Sequence, residues 1–484
     1  MIFTTMRKNM KWVIIIVAVA FVVTLGYGYG SLPRGASGQQ VEAQTVATVD
    51  GKQISRSEFL DAYRQMVVYQ ESIYGPIRPT QLESVKGGVL DQLINNQVIL
   101  SAARKNRISV SGAEVDKKYD EFAKQFKDPQ QLEQFLATSN LTRSRVKDIL
   151  KDQLVGEKLI QQVKNGAKVS NAEVAQAYEE VKARHILIKI PDGKDGDAKA
   201  KAKAESILKE LQGGADFATL AKKYSEDPGS KDQGGDLGFF GRGKMDPAFE
   251  KAAFALKVGE LSQPVKSQFG YHIIKVEARK EAKGAEFDKQ KKDIRDKLLG
   301  QKQDEIFTNW FEGVKKESKV VISDTQLAAY DAYRKGEFDK AIELYKKALA
   351  ATPDDAYLRS SLAQAYQKKG DVDAAITELK AATEQAGSDA VLQFTLADLY
   401  KQKKMTAEAV AAYEKASAAD PSDFYLHMTL MGRFNDLGKK DLADKESKIL
   451  TDIQKTYEEN MKKAQEQQQQ GSTPANTPTS GGKK

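Results

Sequence analysis

Four alanines, Ala341, Ala375, Ala409 and Ala443, step through this chain at intervals of 34 residues, and no other feature restricts its fold as much. Gly336, Gly370 and Gly438 keep the same interval, and Lys404 stands where the missing glycine would fall. Tyr345, Leu379 and Tyr413 follow it, as do Ala348, Ala382 and Ala416. Pro353 and Pro421 close the first and third units, while Gly387 takes the proline position in the second. A period of this length marks a solenoid, in which each unit is one helix–turn–helix element that must stack on its neighbours to bury an apolar face. Residues 324–456 are therefore expected to form stacked helix pairs. The last unit, MGRFNDLGKKDLADKESKIL, is degenerate and is expected to act as a cap. His427 lies in its first helix, as a packing or surface residue.

A second feature lies upstream, from Gly234 to Leu256, reading GGDLGFFGRGKMDPAFEKAAFAL. Its glycines permit turns that other residues resist. Leu237, Phe239, Phe240, Met245, Phe249 and Phe254 supply more apolar mass than a surface loop carries. The stretch reads either as a glycine-punctuated corner of a small core or as a preshaped apolar pocket. Two of the chain's three histidines flank it. His185 in ARHILIKI and His272 in FGYHIIKV occupy short β-rich runs that read as strands. A lone strand histidine is usually a satisfied core residue. Two on similar strands around one apolar loop point to neighbours in space, and a neutral imidazole donates with one nitrogen while accepting with the other. Asp227, in YSEDPGS, is the candidate third member.

ARHILI, GADFATLAKKYSED, the glycine-rich stretch, GELSQPV and FGYHIIKV occur in the order found in parvulin-type, PpiC-like peptidyl-prolyl isomerase domains, and residues 183–280 resemble that family over nearly the whole domain. The resemblance implies that His185, Asp227 and His272 are catalytic. It implies that Leu237, Met245 and Phe249 form the pocket for the substrate proline and that Phe269 lines the substrate-binding site. Asp227 takes a position held by cysteine in some relatives; this chain has no cysteine, which excludes a thiol nucleophile and a disulfide. The chemistry suits such a site. Rotation about a peptide bond faces a barrier of roughly 18–20 kcal/mol, and X–Pro isomers differ by only about 0.5–1 kcal/mol, so the difficulty is rate. An apolar pocket that grips the ring and favours the twisted amide accelerates it without breaking a bond. Some parvulins require a phosphorylated residue before proline and carry basic residues after the first strand. Here Pro191–Asp197 reads PDGKDGD, with three aspartates and one lysine, a poor anion site. The expectation is a phosphorylation-independent isomerase.

At the N-terminus, residues 1–11 hold Arg7, Lys8 and Lys11 and are expected to remain cytoplasmic. Residues 12–30 follow as a candidate transmembrane signal-anchor, with Trp12, Tyr27 and Tyr29 suited to the two interfaces. The alternative is a cleaved signal peptide and a secreted chain. Either way the bulk is extracytoplasmic. Residues 31–44 form a linker. TVATVDGKQISRSEFLDAYRQ then reads as a strand, an Asp-Gly turn and a helix capped near Ser55 or Ser57, followed by amphipathic helices without a candidate nucleophile or base. VDGKQIS, LDQLINNQVILSAARKN and VSGAEVDKKYDEF resemble the N-terminal domain of SurA- and PrsA-type foldases. That resemblance covers residues 45–180 and implies a helical chaperone domain completed by residues 281–322, with the isomerase as an insertion. GEFDKAIELYKKALAATPDD resembles the tetratricopeptide family, whose arrays bind protein ligands; a spacer or dimerisation role is the other reading. Residues 457–484 are expected to be a disordered tail, and the low-complexity run begins at Ala464.

The fold expected is thus multidomain α+β: a transmembrane helix, a helical SurA-N-like domain, a parvulin domain and an all-α repeat solenoid. The function expected is a foldase that isomerises and holds unfolded or newly exported chains containing X–Pro bonds. A protein partner is expected at the repeats. The net charge of +8 comes with lysines interspersed among acids, with no nucleic-acid motif, and no metal or organic cofactor is implied. The alternative functions are a non-enzymatic holding chaperone and an envelope scaffold whose parvulin domain only binds.

Overall fold

The computed structural model describes residues 45–139 and 141–470. The proposed cytoplasmic end, membrane anchor and linker lie outside the described residues. The chain divides into two compact units: one runs up to Gly156 and resumes at Val314, and the other is Glu157–Gly313.

The first unit opens with strand β1 (Thr45–Val49), whose Val46, Ala47 and Val49 are buried. Asp50 and Gly51 turn the chain with φ of 49° and 79°, the left-handed pair that a two-residue hairpin needs. The sequence reading missed β2 (Lys52–Ser55), which pairs antiparallel with β1. Helix α1 (Arg56–Tyr74) is capped by Ser55 rather than Ser57: the Ser55 hydroxyl accepts the Glu58 N–H. Helix α2 (Leu82–Lys105) contributes Val85, Val89, Leu90, Ile94 and Val98 to the core. Helix α3 (Gly112–Ala123) begins with a capping box between Ser111 and Glu114. Helices α4 (Pro129–Thr138) and α5 (Arg143–Lys164) follow. Phe122, Leu132, Phe135, Leu136, Val146 and Leu150 form a small separate core.

In the second unit, α6 (Asn171–Tyr178) leads into β3 (Glu180–Ile188). Then come α7 (Gly196–Gln212), α8 (Phe217–Tyr224), β4 (Asp236–Gly241), α9 (Pro247–Ala255), β5 (Val265–Ser267), β6 (Gly270–Lys280) and α10 (Ala285–Glu317). The strands form an antiparallel sheet in the order β4-β3-β6-β5. Alternation along β3 and β6 sends side chains to two faces. Ile186, Ile188, Tyr271 and Ile273 pack with α7 and α8. Val181, Ala183, Ile274 and Val276 pack on the other face with Phe249, Ala253 and Phe254 of α9.

The chain returns to the first unit with β7 (Val320–Ile322), which adds to the free edge of β1. Eight helices follow: α11 (Thr325–Arg334), α12 (Phe338–Ala351), α13 (Ala356–Lys369), α14 (Val372–Gln385), α15 (Ala390–Gln402), α16 (Thr406–Ala419), α17 (Phe424–Asp436) and α18 (Lys440–Gln470). They form four pairs on the 34-residue period, and the stepping alanines Ala341, Ala375, Ala409 and Ala443 are all buried. Helix α18 runs to Gln470, so residues 457–470 are helical where disorder was expected. Glutamine, glutamate, lysine and alanine are good helix formers, and here they extend a helix already nucleated by packing. Residues 471–484 lie outside the described residues. Among the described residues no helix is long and apolar enough to cross a membrane.

Between the helices of a pair, Gly336, Gly370 and Gly438 adopt φ of 79°, 96° and 69°, and Lys404 adopts 60° at the corresponding position. A side chain in this region costs about 1–2 kcal/mol, partly offset by the lower chain entropy of a non-glycine residue. Lys404→Gly is expected to stabilise the repeats by about 0.5–1 kcal/mol, read as a higher denaturation midpoint.

Candidate active site

The two histidines meet because of strand register. His185 of β3 lies opposite Ile274 of β6, and Leu187 lies opposite His272. His185 and His272 are therefore diagonal neighbours on one face, the spacing at which long side chains touch. Their rings stack, with centroids 5.4 Å apart and planes inclined by 15°. Phe249 of α9 meets both edge-on, at 5.6 Å from His185 and 5.2 Å from His272. Leu237 and Met245 pack in the same apolar cluster as Phe249. Phe269 stands outside that cluster and is 57 % exposed, in the turn between β5 and β6.

Asp227 reaches the histidines through a local exchange of partners. Strand β4 pairs with β3 only as far as Arg184. Beyond it, the Ser225 hydroxyl accepts the Leu187 N–H (3.2 Å) and the Glu226 N–H donates to the Leu187 carbonyl (2.8 Å). That edge contact sets Asp227 beside His185. Gly235 completes the crossing: its carbonyl accepts the His185 N–H at 2.9 Å. Its φ is 79°, and a Cβ there would lie 2.3 Å from the His185 carbonyl oxygen, so only glycine fits. Arg184 holds the same loop, donating to the carbonyls of Gln233 and Gly234 at 3.0 Å and to Glu277 at 2.5 Å.

The polar contacts form one directed chain. Asp227 Oδ2 lies 2.9 Å from His185 Nε2 and accepts the Ser230 hydroxyl at 2.5 Å, while Oδ1 accepts the Gly229 N–H at 3.2 Å. His185 Nδ1 lies 3.1 Å from His272 Nδ1, and His272 Nε2 lies 2.7 Å from Ser267 Oγ. Burial, the largest single influence on Asp227, opposes ionisation, but Ser230, His185 and Gly229 outweigh it and hold the carboxyl at about 2. An ionised Asp227 accepts, so His185 Nε2 carries the hydrogen and its Nδ1 accepts. His272 Nδ1 must then donate and its Nε2 accept from Ser267, whose oxygen takes the Phe269 N–H (3.0 Å). One carboxylate thus assigns both tautomers. Sequence reasoning missed Ser230 and Ser267. Ser230 lies three residues after Asp227 in the same turn, and Ser267 lies five residues before His272 across the turn between β5 and β6, so nearness in sequence to the candidate residues is the signal that could have found them.

Burial lowers both imidazoles, His185 against the opposing pull of Asp227 and His272 to about 4 with help from His185. Both are neutral at neutral pH. The sign of the resulting pH dependence follows. The unfolded histidine takes up a proton near 6.5, whereas folded His272 does so only near about 4. Between those values the unfolded chain binds more protons, so this stabilisation is present above 6.5 and is lost as pH falls. The second unit is expected to lose on the order of 2 kcal/mol between pH 7 and pH 5. Hydrogen exchange of β3 and β6 amides, corrected for intrinsic rates, measures it; unchanged protection would refute it.

Every ring nitrogen of the pair is engaged within the protein. The site is thus a neutral, rigid, mostly apolar floor rather than a proton-transfer device. Such a surface suits a reaction whose transition state is a twisted amide.

A profile of the PPIC-type PPIASE domain matches residues 167–280, and one of the SurA-like N-terminal domain matches 2–160. Tetratricopeptide repeat profiles match 332–393 and 390–423. The foldase protein PrsA of Clostridium botulinum is 33% identical over 309 residues, 58% of this chain and 89% of the relative. That of Caldanaerobacter subterraneus is 32% identical over 316 residues, 62% of this chain and 94% of the relative. The solved peptidylprolyl isomerase PrsA of Bacillus cereus is 29% identical, covering 59% of this chain and 96% of that one, with a TM-score of 0.29. With a PPIC-type domain carried between a SurA-like domain and a repeat array, and with relatives of this identity matched over most of their length, the chain belongs to the PrsA foldase family: it is a peptidyl-prolyl cis-trans isomerase and chaperone for exported proteins.

Proposed function

We propose that residues 183–280 catalyse X–Pro isomerisation at the surface framed by His185, Asp227, His272, Leu237, Met245 and Phe249. The observation that carries this reading is the directed chain from Ser267 to Asp227 lying against the edge of Phe249. In this reading the ring of proline rests on the apolar residues. The two imidazoles are positioning residues: they keep Ser267 and the floor of the pocket fixed and uncharged. Phe269 lies at the rim, where its exposure leaves it free to cover the residue before proline. Phosphorylation is not needed, because Pro191–Asp197 is rich in aspartate and Asp197 already pairs with Lys266 at 2.5 Å.

The helical residues 45–180 with 281–322 serve as the holding domain, and residues 324–456 dock a protein partner. The uncharged, apolar residues 12–30 anchor the chain in the cell membrane with its bulk outside the cytoplasm. The test is refolding of a small protein limited by a native cis proline. The chain is expected to accelerate the slow phase, and a variant lacking both histidines is not. Suppression of aggregation by both, without acceleration by either, would instead favour a holding chaperone.

A further inference from the structure

The repeat array already has an occupant from its own chain. Glu83, Gly87 and Asp91 of α2 are spaced by four and fall on one helical face. Asp91 accepts both guanidinium ends of Arg334 on α11, at 2.5 and 2.9 Å. Gly87 is buried against the Tyr330 ring of α11, so closely that a Cβ would lie 2.2 Å from a ring carbon. Glu83 accepts the Ser361 hydroxyl of α13. Upstream, Arg78 pairs with Asp423, the residue that caps α17. Contacts from Arg78 to Asp91 thus reach the first helices of the fourth, second and first repeats in turn, so the segment runs antiparallel to their order. Stacked repeats create an extended concave binding surface.

The seat is imperfect. Glu83 Oε1 is buried without a well-aligned hydrogen-bond partner, and burial pushes its carboxyl up to about 7 against the pull of Ser361 and Tyr345. An occupant whose buried carboxyl is incompletely satisfied is held less tightly than one that satisfies it fully. Beyond Asp423, the fourth repeat exposes Tyr425 and Met428, apolar surface on which a longer ligand could continue.

We propose that the repeat groove is a docking site for a helical segment of a protein partner, and that Arg78–Asp91 closes it in cis. The partner's segment is expected to carry a basic residue, an acid five positions on, a small residue four further and a second acid four beyond that. This rests on reading the repeats as a protein-docking array, and it adds the ligand's chemistry and the means of closure.

The probe is a fluorescent peptide of residues 78–91, RPTQLESVKGGVLD, titrated by anisotropy into the full-length chain. Gly87→Arg with Asp91→Lys should dislodge the internal segment by steric conflict with Tyr330 and repulsion from Arg334. The peptide is expected to bind this variant at least tenfold more tightly than the unaltered chain. Adding Arg334→Glu should abolish the gain. If that pair of changes impairs folding, Arg78→Ala with Asp91→Ala, which removes only the ionic ends, is judged by the same criterion. Equal binding to parent and variant would mean an open groove: the docking array survives and closure fails. No binding to either folded variant would show that the groove does not receive such helices, and the proposal fails outright.

Discussion

Replacing both site histidines, His185→Ala with His272→Ala, should reduce catalysed X–Pro isomerisation by about 100-fold or more while aggregation of unfolded clients is still suppressed. The size follows from what is removed. A preorganised hydrogen-bonding group aimed at the transition state typically contributes about 10²–10³-fold, and a factor of 100 corresponds to about 2.7 kcal/mol of transition-state stabilisation. Without the rings, Ser267 loses its contact with His272 Nε2 and Asp227 loses its contact with His185 Nε2. Phe249 also loses both edge contacts. These rings are buried, so the domain's fold must be checked by circular dichroism. Ser267→Ala provides a milder control: it removes the hydrogen donated to His272 Nε2 and leaves the apolar packing in place. A drop of about tenfold is expected from it, near 1.4 kcal/mol. A folded double variant that isomerises at the parental rate would sink the assignment of this surface.

Glu446→Ala should destabilise the last two repeats by about 3–5 kcal/mol. His427 and Glu446 are both buried, and His427 Nδ1 bonds Glu446 Oε2. His427 Nε2 donates to the Asp420 carbonyl at 3.1 Å, and Ser417 donates to Glu446 Oε1 at 2.8 Å. One carboxyl thereby ties α16, α17 and α18 together. Its removal leaves two buried polar groups without partners, each at a cost of about 1–3 kcal/mol, and a cavity besides. Glu446→Gln separates hydrogen bonding from charge. Its amide oxygen can accept from Ser417 and its amide nitrogen can donate to His427 Nδ1, so a loss near 1 kcal/mol is expected. Hydrogen exchange over residues 424–450 reads both variants locally, which suits a chain of several units better than a single melting curve. Equal losses for alanine and glutamine would mean that the carboxylate charge itself holds the helices.

Much of this protein is legible along the chain because the relevant physics is local or periodic. The step of 34 residues survives in the buried alanines, and Lys404, which stands at the missing glycine position, shares the left-handed conformation of the glycines. Two similar strands around a glycine-rich apolar stretch identified His185, His272 and Asp227 as a group, and the fold joins them by hydrogen bonds. Local reading failed where ordinary residues gain a role from distant ones. Strand β2 is only four residues long and exists because β1 offers it an edge. Helix α18 outlasts its low-complexity composition because packing nucleates it upstream.

The chain by itself therefore determined the repeat solenoid, the parvulin pattern and the histidine pair, since each is written in spacing or in side-chain type. Tertiary structure alone decided which way the hydrogens of the site point, what bonds His427, and that Arg78–Asp91 lies on the repeats. The reason is physical. Periodicity follows from the geometry of one helix or strand. A buried hydrogen bond between residues far apart depends on where the folded backbone brings them, and a serine or glutamate carries no mark of that in its own neighbourhood.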